Sequence, residues 1–422
     1  MKQALLLWNG LAIMALSSIS FADTLMVPSE YGSIQAGIDA AVDGDIVSVE
    51  PGHYYELIDF KGKLITVSSL SGLPINTTIN GSATPGTVVT FETGETSASV
   101  LDGFTVKNGE AFSGGGIRII GASPIIRNCV IKNNHSDASG AGIHVDTGTL
   151  TIEDSILSGN TTGNAGAGVY MKFSQGSFTG CSFENNIAIN GGAIYLKDST
   201  GDIAISDSEF IENIASSDGG AVFNKGTSAV VQDCSFVDNS SNKGGAWFSY
   251  SGGDGIISNS VFADNAVTLS GGAAEIRSSS VTFSDCTFDS NIADSDCDGS
   301  GGSSVVEIVN STVTLNNPTI CTNLVCDTQG NFSGDQPTII GEIIECVIGI
   351  GACCGGSACW EMEEDMCLEG GGIWSGDATL CATVVCECEG DGPVSCPGDL
   401  NGNGSVEVLD IIELITAWGD CN

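Results

Sequence analysis

Ser208-Glu-Phe210-Ile-Glu-Asn213 returns as Cys234-Ser-Phe236-Val-Asp-Asn239, and between the copies runs Asp218-Gly-Gly-Ala-Val-Phe-Asn-Lys225. The pattern spreads outward from this stretch. Asparagine recurs at a spacing of 26 or 27 as Asn134, Asn160, Asn186, Asn213, Asn239, Asn265 and Asn291, and Asn108 is expected one step earlier in the same series. Three residues before them stand Ile131, Leu157, Phe183, Phe210, Phe236, Phe262 and Phe288. A small-residue triplet alternates with this signal: Gly-Gly-Gly at 114–116, Gly-Ala-Gly at 140–142 and 166–168, then Gly-Gly-Ala from Gly191, Gly219, Gly244 and Gly271. A fixed period of this size marks a repeat architecture. No single repeat can bury its own core, so successive turns must stack.

The repeats alternate apolar and polar residues in short runs, as in Ile194-Tyr195-Leu196-Lys197, which is a strand pattern rather than a helical one. Glycines and Asn/Ser/Asp clusters punctuate the strands and supply positive φ at the corners. Equivalent strands one turn apart then pair in parallel at about 4.8 Å. Asparagine at one fixed slot suits this geometry, since stacked amides donate and accept along the axis. The chain reads as a parallel β-helix. Two residues before each large apolar position, Cys129, Cys181, Cys234 and Cys286 alternate with Ser155, Ser208 and Ser260. Like cysteines two turns apart would stand about 9.6 Å from each other, beyond the ~7 Å that a disulfide spans. They are expected to be buried, unpaired core thiols.

The Gly-Gly-Ala-[Ile/Val] and Phe-x-x-Asn signatures resemble the polymorphic outer-membrane protein repeats of chlamydiae. Upstream, Val27-Pro-Ser-Glu-Tyr-Gly-Ser-Ile-Gln-Ala-Gly-Ile-Asp-Ala-Ala, Gly44-Asp-Ile-Val and Val49-Glu-Pro-Gly-His-Tyr-Tyr-Glu are similar to the opening of pectin-lyase-like right-handed β-helix proteins. Leu101-Asp-Gly-Phe-Thr-Val-Lys-Asn-Gly resembles a rung of the same family. The resemblance spans about 26–332 and implies a right-handed coil whose first turn is capped by a short helix at about 33–42. It implies little about activity, because one fold hosts many sites. The fold class expected is all-β, a right-handed parallel β-helix over 23–332 with regular repeats at about 108–300.

Residues 1–22 carry Lys2, the apolar run Leu5–Leu16 and Ser20-Phe21-Ala22, the layout of a secretory signal peptide. No other segment is apolar and long enough to span a bilayer. Ten-residue amphipathic strands of an outer-membrane barrel are also missing, a departure from the chlamydial proteins. The formal charge is −40, from 52 acidic and 12 basic residues, which repels phosphate backbones and excludes nucleic acid as a partner. Seventeen cysteines in an exported chain point to an oxidising compartment. The expected location is extracellular or on the surface of a bacterial outer envelope.

Beyond a linker at 333–345, residues 346–390 concentrate Cys346, Cys353, Cys354, Cys359, Cys367, Cys381, Cys386 and Cys388 without a histidine, so disulfides are favoured over zinc. Gly351-Ala-Cys-Cys through Gly371-Gly-Ile-Trp-Ser-Gly is similar to small modules of secreted planctomycete proteins. In 391–422, Asp399, Asn401, Asn403, Ser405, Glu407 and Asp410 occupy positions one, three, five, seven, nine and twelve of a loop with Gly404 at its sharp turn. Those spacings deliver the oxygens that Ca2+ requires. Val408, Ile411, Ile412, Ile415 and Trp418 then share one face of an exiting helix. The unit looks like one half of a dockerin repeat, which implies a cohesin-like or other surface-anchor partner.

Catalytic constellations are harder to assemble. The three histidines, His53, His135 and His144, fall in no evident cluster, and no polygalacturonase-like aspartate motif is present. The strand after each triplet is more informative. Ile143, Val169, Ile194, Val222 and Trp247 point inward; His144, Tyr170, Tyr195, Phe223 and Phe248 point outward; Asp146, Lys172, Lys197, Lys225, Tyr250 and Arg277 follow two positions later. Exposed rings flanked by cations are expected to form a platform for acidic sugars. The alternative is that rings and lysines merely shield the sheet. The function expected is adhesion or polysaccharide binding without catalysis, against the alternative of a calcium-dependent polysaccharide lyase or glycoside hydrolase.

Overall fold

The computed structural model describes residues 22–199, 201, 203–295, 302–321, 323–325, 332–334, 337–340, 344–345, 350–355, 358–363 and 373–377. The signal segment, Ala22 apart, and the calcium loop lie outside these residues. The chain divides into two compact units, 1–182 and 183–422.

In the second unit a turn of chain is four short strands, for example Ile214–Asp218, Val222–Lys225, Ala229–Gln232 and Ser235–Val237. Each pairs in parallel with its equivalent one turn later, so four sheets, first to fourth in chain order, run along the coil. Register keeps equivalent side chains in columns. Phe183, Phe210, Phe236, Phe262 and Phe288 stack with centroids 4.6–5.2 Å apart. All five are fully buried, and Trp247 meets Phe236 edge-on at 6.4 Å.

Beside the phenylalanines runs the amide ladder. The Asn213 backbone N–H and Nδ2 both donate to Asn239 Oδ1 at 3.0 Å, and the same pair of bonds links Asn239 to Asn265 and Asn265 to Asn291. Each Nδ2 also reaches a phenylalanine carbonyl a turn back, as Asn239 does to Phe210 at 2.9 Å. The ladder outlasts the regular period: Asn291 donates to Asn323 Oδ1 although that turn is 32 residues long.

The glycines mark where the chain crosses close to itself. Gly219 has φ +67, and a Cβ on Gly220 would lie 2.0 Å from the Gly245 carbonyl oxygen, so neither slot admits a side chain without backbone movement. Elsewhere at the corners asparagine and aspartate take the left-handed conformation, including Asp207, Asp233 and Asn259.

The first unit uses the same four strands per turn, for example His135–Ser139, Ile143–Asp146, Thr149–Glu153 and Ile156–Ser158. Asn134 bonds Asn160 as a ladder pair. The expectation for Asn108 is corrected here. Lys107 pairs with Lys132, so Asn108 is level with Asn133 and shares its positive φ. Gly109 fills the ladder slot and donates its N–H to Asn134 Oδ1 at 2.9 Å. That earlier turn is one residue shorter, which shifts asparagine from the ladder to the corner.

The helix Ile34–Ala40 packs Ile34, Gly37 and Ile38 against the first strands. Ser33 caps its start, and the Glu56 carboxylate accepts from the Ile34 and Gln35 N–H groups. At its other end Lys63 Nζ donates to the carbonyls of Ile38, Asp39 and Ala41, satisfying acceptors that the helix leaves open. The cysteine column also behaves as expected: Cys129, Cys181, Cys234 and Cys286 are buried thiols outside any disulfide. Burial pushes the Cys129 and Cys181 thiols up to about 12 and those of Cys234 and Cys286 to about 11, so none is a nucleophile at neutral pH. In the cysteine-rich region, Ile350–Gly355 pairs antiparallel with Ala358–Glu363 and with Ile373–Asp377. Among the described residues no helix is long and apolar enough to cross a membrane.

Candidate functional site

In the second unit, the second sheet orders Ile194–Lys197, Val222–Lys225, Trp247–Tyr250, Ala274–Arg277 and Val306–Val309. Strand alternation sends Ile194, Val222 and Trp247 fully inside. It leaves two outer columns: Tyr195, Phe223, Phe248, Glu275 and Glu307, then Lys197, Lys225, Tyr250 and Arg277.

The expectation of an exposed ring platform is corrected. Tyr195 lies flat on Phe223 at 4.7 Å, and Phe223 on Phe248 at 5.0 Å. Phe223 and Phe248 are only 7% and 3% exposed. A strand spacing of about 4.8 Å is close to a ring-stacking distance, so in-register aromatics spend their faces on each other. They form an apolar spine, not a stacking surface for sugars.

The cations beside that spine differ in their partners. Arg277 is held by Glu275. Lys197 and Lys225 are neighbours on adjacent strands, and neither forms an ion pair among the described residues. Lys225 Nζ lies 5.8 Å from the Tyr250 ring centroid, and Tyr250 is exposed.

In the first unit the corresponding sheet sets Arg118, His144 and Tyr170 side by side, with Asp146 and Lys172 in the next outer column. The sequence showed no cluster around His144, because its companions come from neighbouring turns. His144 stacks on Tyr170 at 5.1 Å, and burial lowers its pKa against the pull of Asp146, leaving the ring neutral at pH 7. Arg118 is paired with Glu92. Lys172 is paired with Asp146 at 3.8 Å and sits over the Phe173 ring. Tyr170 is 9% exposed. Here the alternative expectation, shielding of the sheet, describes the arrangement better.

Sequence reasoning missed a further group. Glu275 occupies the slot of Phe248 one turn on, and it is completely buried. It accepts from Ser270 Oγ at 2.6 Å and from Arg277. Burial raises its pKa, with Ser270, Arg277 and Lys243 pulling the other way. Asp218, on the first sheet, is also raised by burial and opposed chiefly by Lys243. Counting positions from each glycine triplet would have placed Glu275 in the aromatic slot. The calcium-loop residues Asp399, Asn401, Asn403, Ser405, Glu407 and Asp410 lie outside the described residues.

A solenoid of parallel strands with a cation-lined outer sheet defines the class. The chain belongs to the right handed beta helix region family, whose model matches residues 71–217 and 167–342. No curated protein matches it in sequence. Among solved structures it is similar to the catalytic unit of a thermostable GH87 alpha-1,3-glucanase from Streptomyces thermodiastaticus strain HF3-3, at 16% identity and TM-score 0.35, over 76% of this chain and 70% of that one. The receptor-binding protein of bacteriophage Det7, a podoviral tailspike in a myovirus, is similar at 12% identity and TM-score 0.22, over 77% and 74%. The Azotobacter vinelandii mannuronan C-5 epimerase AlgE6 A-module is similar at 15% identity and TM-score 0.22, over 74% and 94%.

Proposed function

We propose that this is an extracellular or cell-surface protein that binds an anionic polysaccharide on the outer second sheet of residues 183–422 and does no chemistry on it. One observation carries the reading: Lys197 and Lys225 stack on adjacent strands without a carboxylate partner among the described residues. Like charges directly opposite one another on paired strands are destabilising. Lys61, Arg127 and Lys172 are by contrast paired with Asp39, Asp102 and Asp146, although Lys107 and Lys132, in register in the first unit, also form no ion pair among the described residues. With 52 acidic residues to draw on, leaving this pair open favours a negatively charged ligand that completes it. The stacked rings in the adjacent column stiffen the sheet that carries the lysines, so fewer degrees of freedom are lost on binding.

A panel of polyuronates, sulfated glycans and neutral glucans tests this. Retention of the anionic members, released by salt and without new unsaturated or reducing ends, is expected. Preference for neutral glycans, or release of ends, overturns it.

We further infer that Asp399, Asn401, Asn403, the Ser405 carbonyl, Glu407 and Asp410 bind one Ca2+, so that the C-terminal unit can dock to a surface partner of cohesin type. Calorimetry on the full chain is expected to show calcium uptake that Asp399→Ala removes. No heat from the unaltered chain refutes it.

A further inference from the structure

At the Ala274–Arg277 turn the cationic column of the second unit meets a carboxylate that no solvent reaches. Glu275 is 0% exposed. Its two oxygens are taken by Ser270 Oγ and by Arg277. Arg277 follows Lys197, Lys225 and Tyr250 in one outer column, so its guanidinium would extend the lysine file if it were released. The charged groups facing this point are one cation, Lys243, and two carboxylates, Asp218 and Glu307. Lys243 and Ser270 come from the first sheet, where Asp218 is level with Lys243 one turn earlier. Phe248 precedes Glu275 on the second sheet and Glu307 follows it.

We propose that Glu275 gates the anion-binding face: ionised, it holds Arg277 against the sheet, and protonated, it gives that cation up to the ligand. This rests on the anionic-polysaccharide reading above. The geometry favours a gate over a permanent clamp because the carboxylate is desolvated. A buried ion pair gains little over its desolvation penalty. The neutral acid keeps the Ser270 contact while losing its hold on the guanidinium. Burial raises the pKa of Glu275 and that of Asp218, with Lys243 opposing both shifts.

The test uses dextran sulfate, whose charge stays fixed, titrated into the full chain at a series of pH values from about 7.5 down to about 4, the ordinary carboxyl range. Wild type is expected to bind roughly tenfold tighter at the low end of the series, and Glu275→Gln to reach that affinity already at the high end. Arg277→Ala should lose the gain. Glu209→Gln, an exposed carboxylate on the fourth sheet, controls for the general fall in negative charge. Unfolding curves for each variant show that it folds. If Glu275→Gln behaves as Glu209→Gln does, the gate is wrong while the binding reading stands. If nothing binds at any pH in the series, both fall.

Discussion

Asn239→Leu is expected to destabilise the protein by about 4 kcal/mol, since it strands several buried polar groups at about 1–3 kcal/mol each. The Asn239 side chain accepts from two donors of Asn213 and donates to Asn265 and to the Phe210 carbonyl. Asn213 Nδ2 keeps its bond to Phe183, and Asn265 keeps the Asn239 backbone donor, so those groups stay partly satisfied. The Asn213 N–H and the Phe210 carbonyl lose this partner, far from water, in a column where the amides from Asn186 to Asn291 are 0% exposed. Leucine supplies volume but no polar atoms, so the loss reports the ladder and not a cavity. Asn242→Ala is the comparison. Its Nδ2 also bonds a carbonyl one turn away, Ser216, but at the exposed surface, and it should cost under about 0.5 kcal/mol. Denaturant unfolding measures both. A loss below about 1 kcal/mol for Asn239→Leu would mean that the ladder records register without supplying stability.

The columns were legible because a solenoid converts sequence period into spatial stacking. Reading Phe210 and Phe236 as equivalent was enough to put their rings in contact. Slot counting failed where the period slipped. Asn108 sits on a turn one residue short, and Asn323 on a turn of 32 residues, longer than the regular period, so one was assigned to the ladder wrongly and the other overlooked. Alternation gave the outward direction of Phe223 and Phe248 correctly, but direction is not exposure. Whether an outward ring is open depends on what stacks beside it, and that follows from the strand spacing and the neighbouring turn. The Glu275–Arg277 contact was hidden for a related reason. Both residues were visible on one strand, but burial of the acid depends on Ser270 and on adjacent turns.

Lys197→Ala combined with Lys225→Ala is expected to weaken binding of an anionic polysaccharide about 100-fold. Two charge-assisted contacts at about 1.5 kcal/mol each would be removed together. The slope of affinity against salt should flatten as well, because fewer cations are neutralised by the ligand. Stability separates a binding role from a structural one. If the lysines only shield the sheet, losing the Lys225 contact with Tyr250 should destabilise by up to about 1 kcal/mol. If they are held for a ligand, the free protein carries their repulsion, and removing both should leave the unfolding midpoint unchanged or raised. Weaker binding with undiminished stability would therefore mark a face kept electrostatically unfinished for a partner. Unaltered binding would exclude the lysines as contacts, whatever happens to the midpoint.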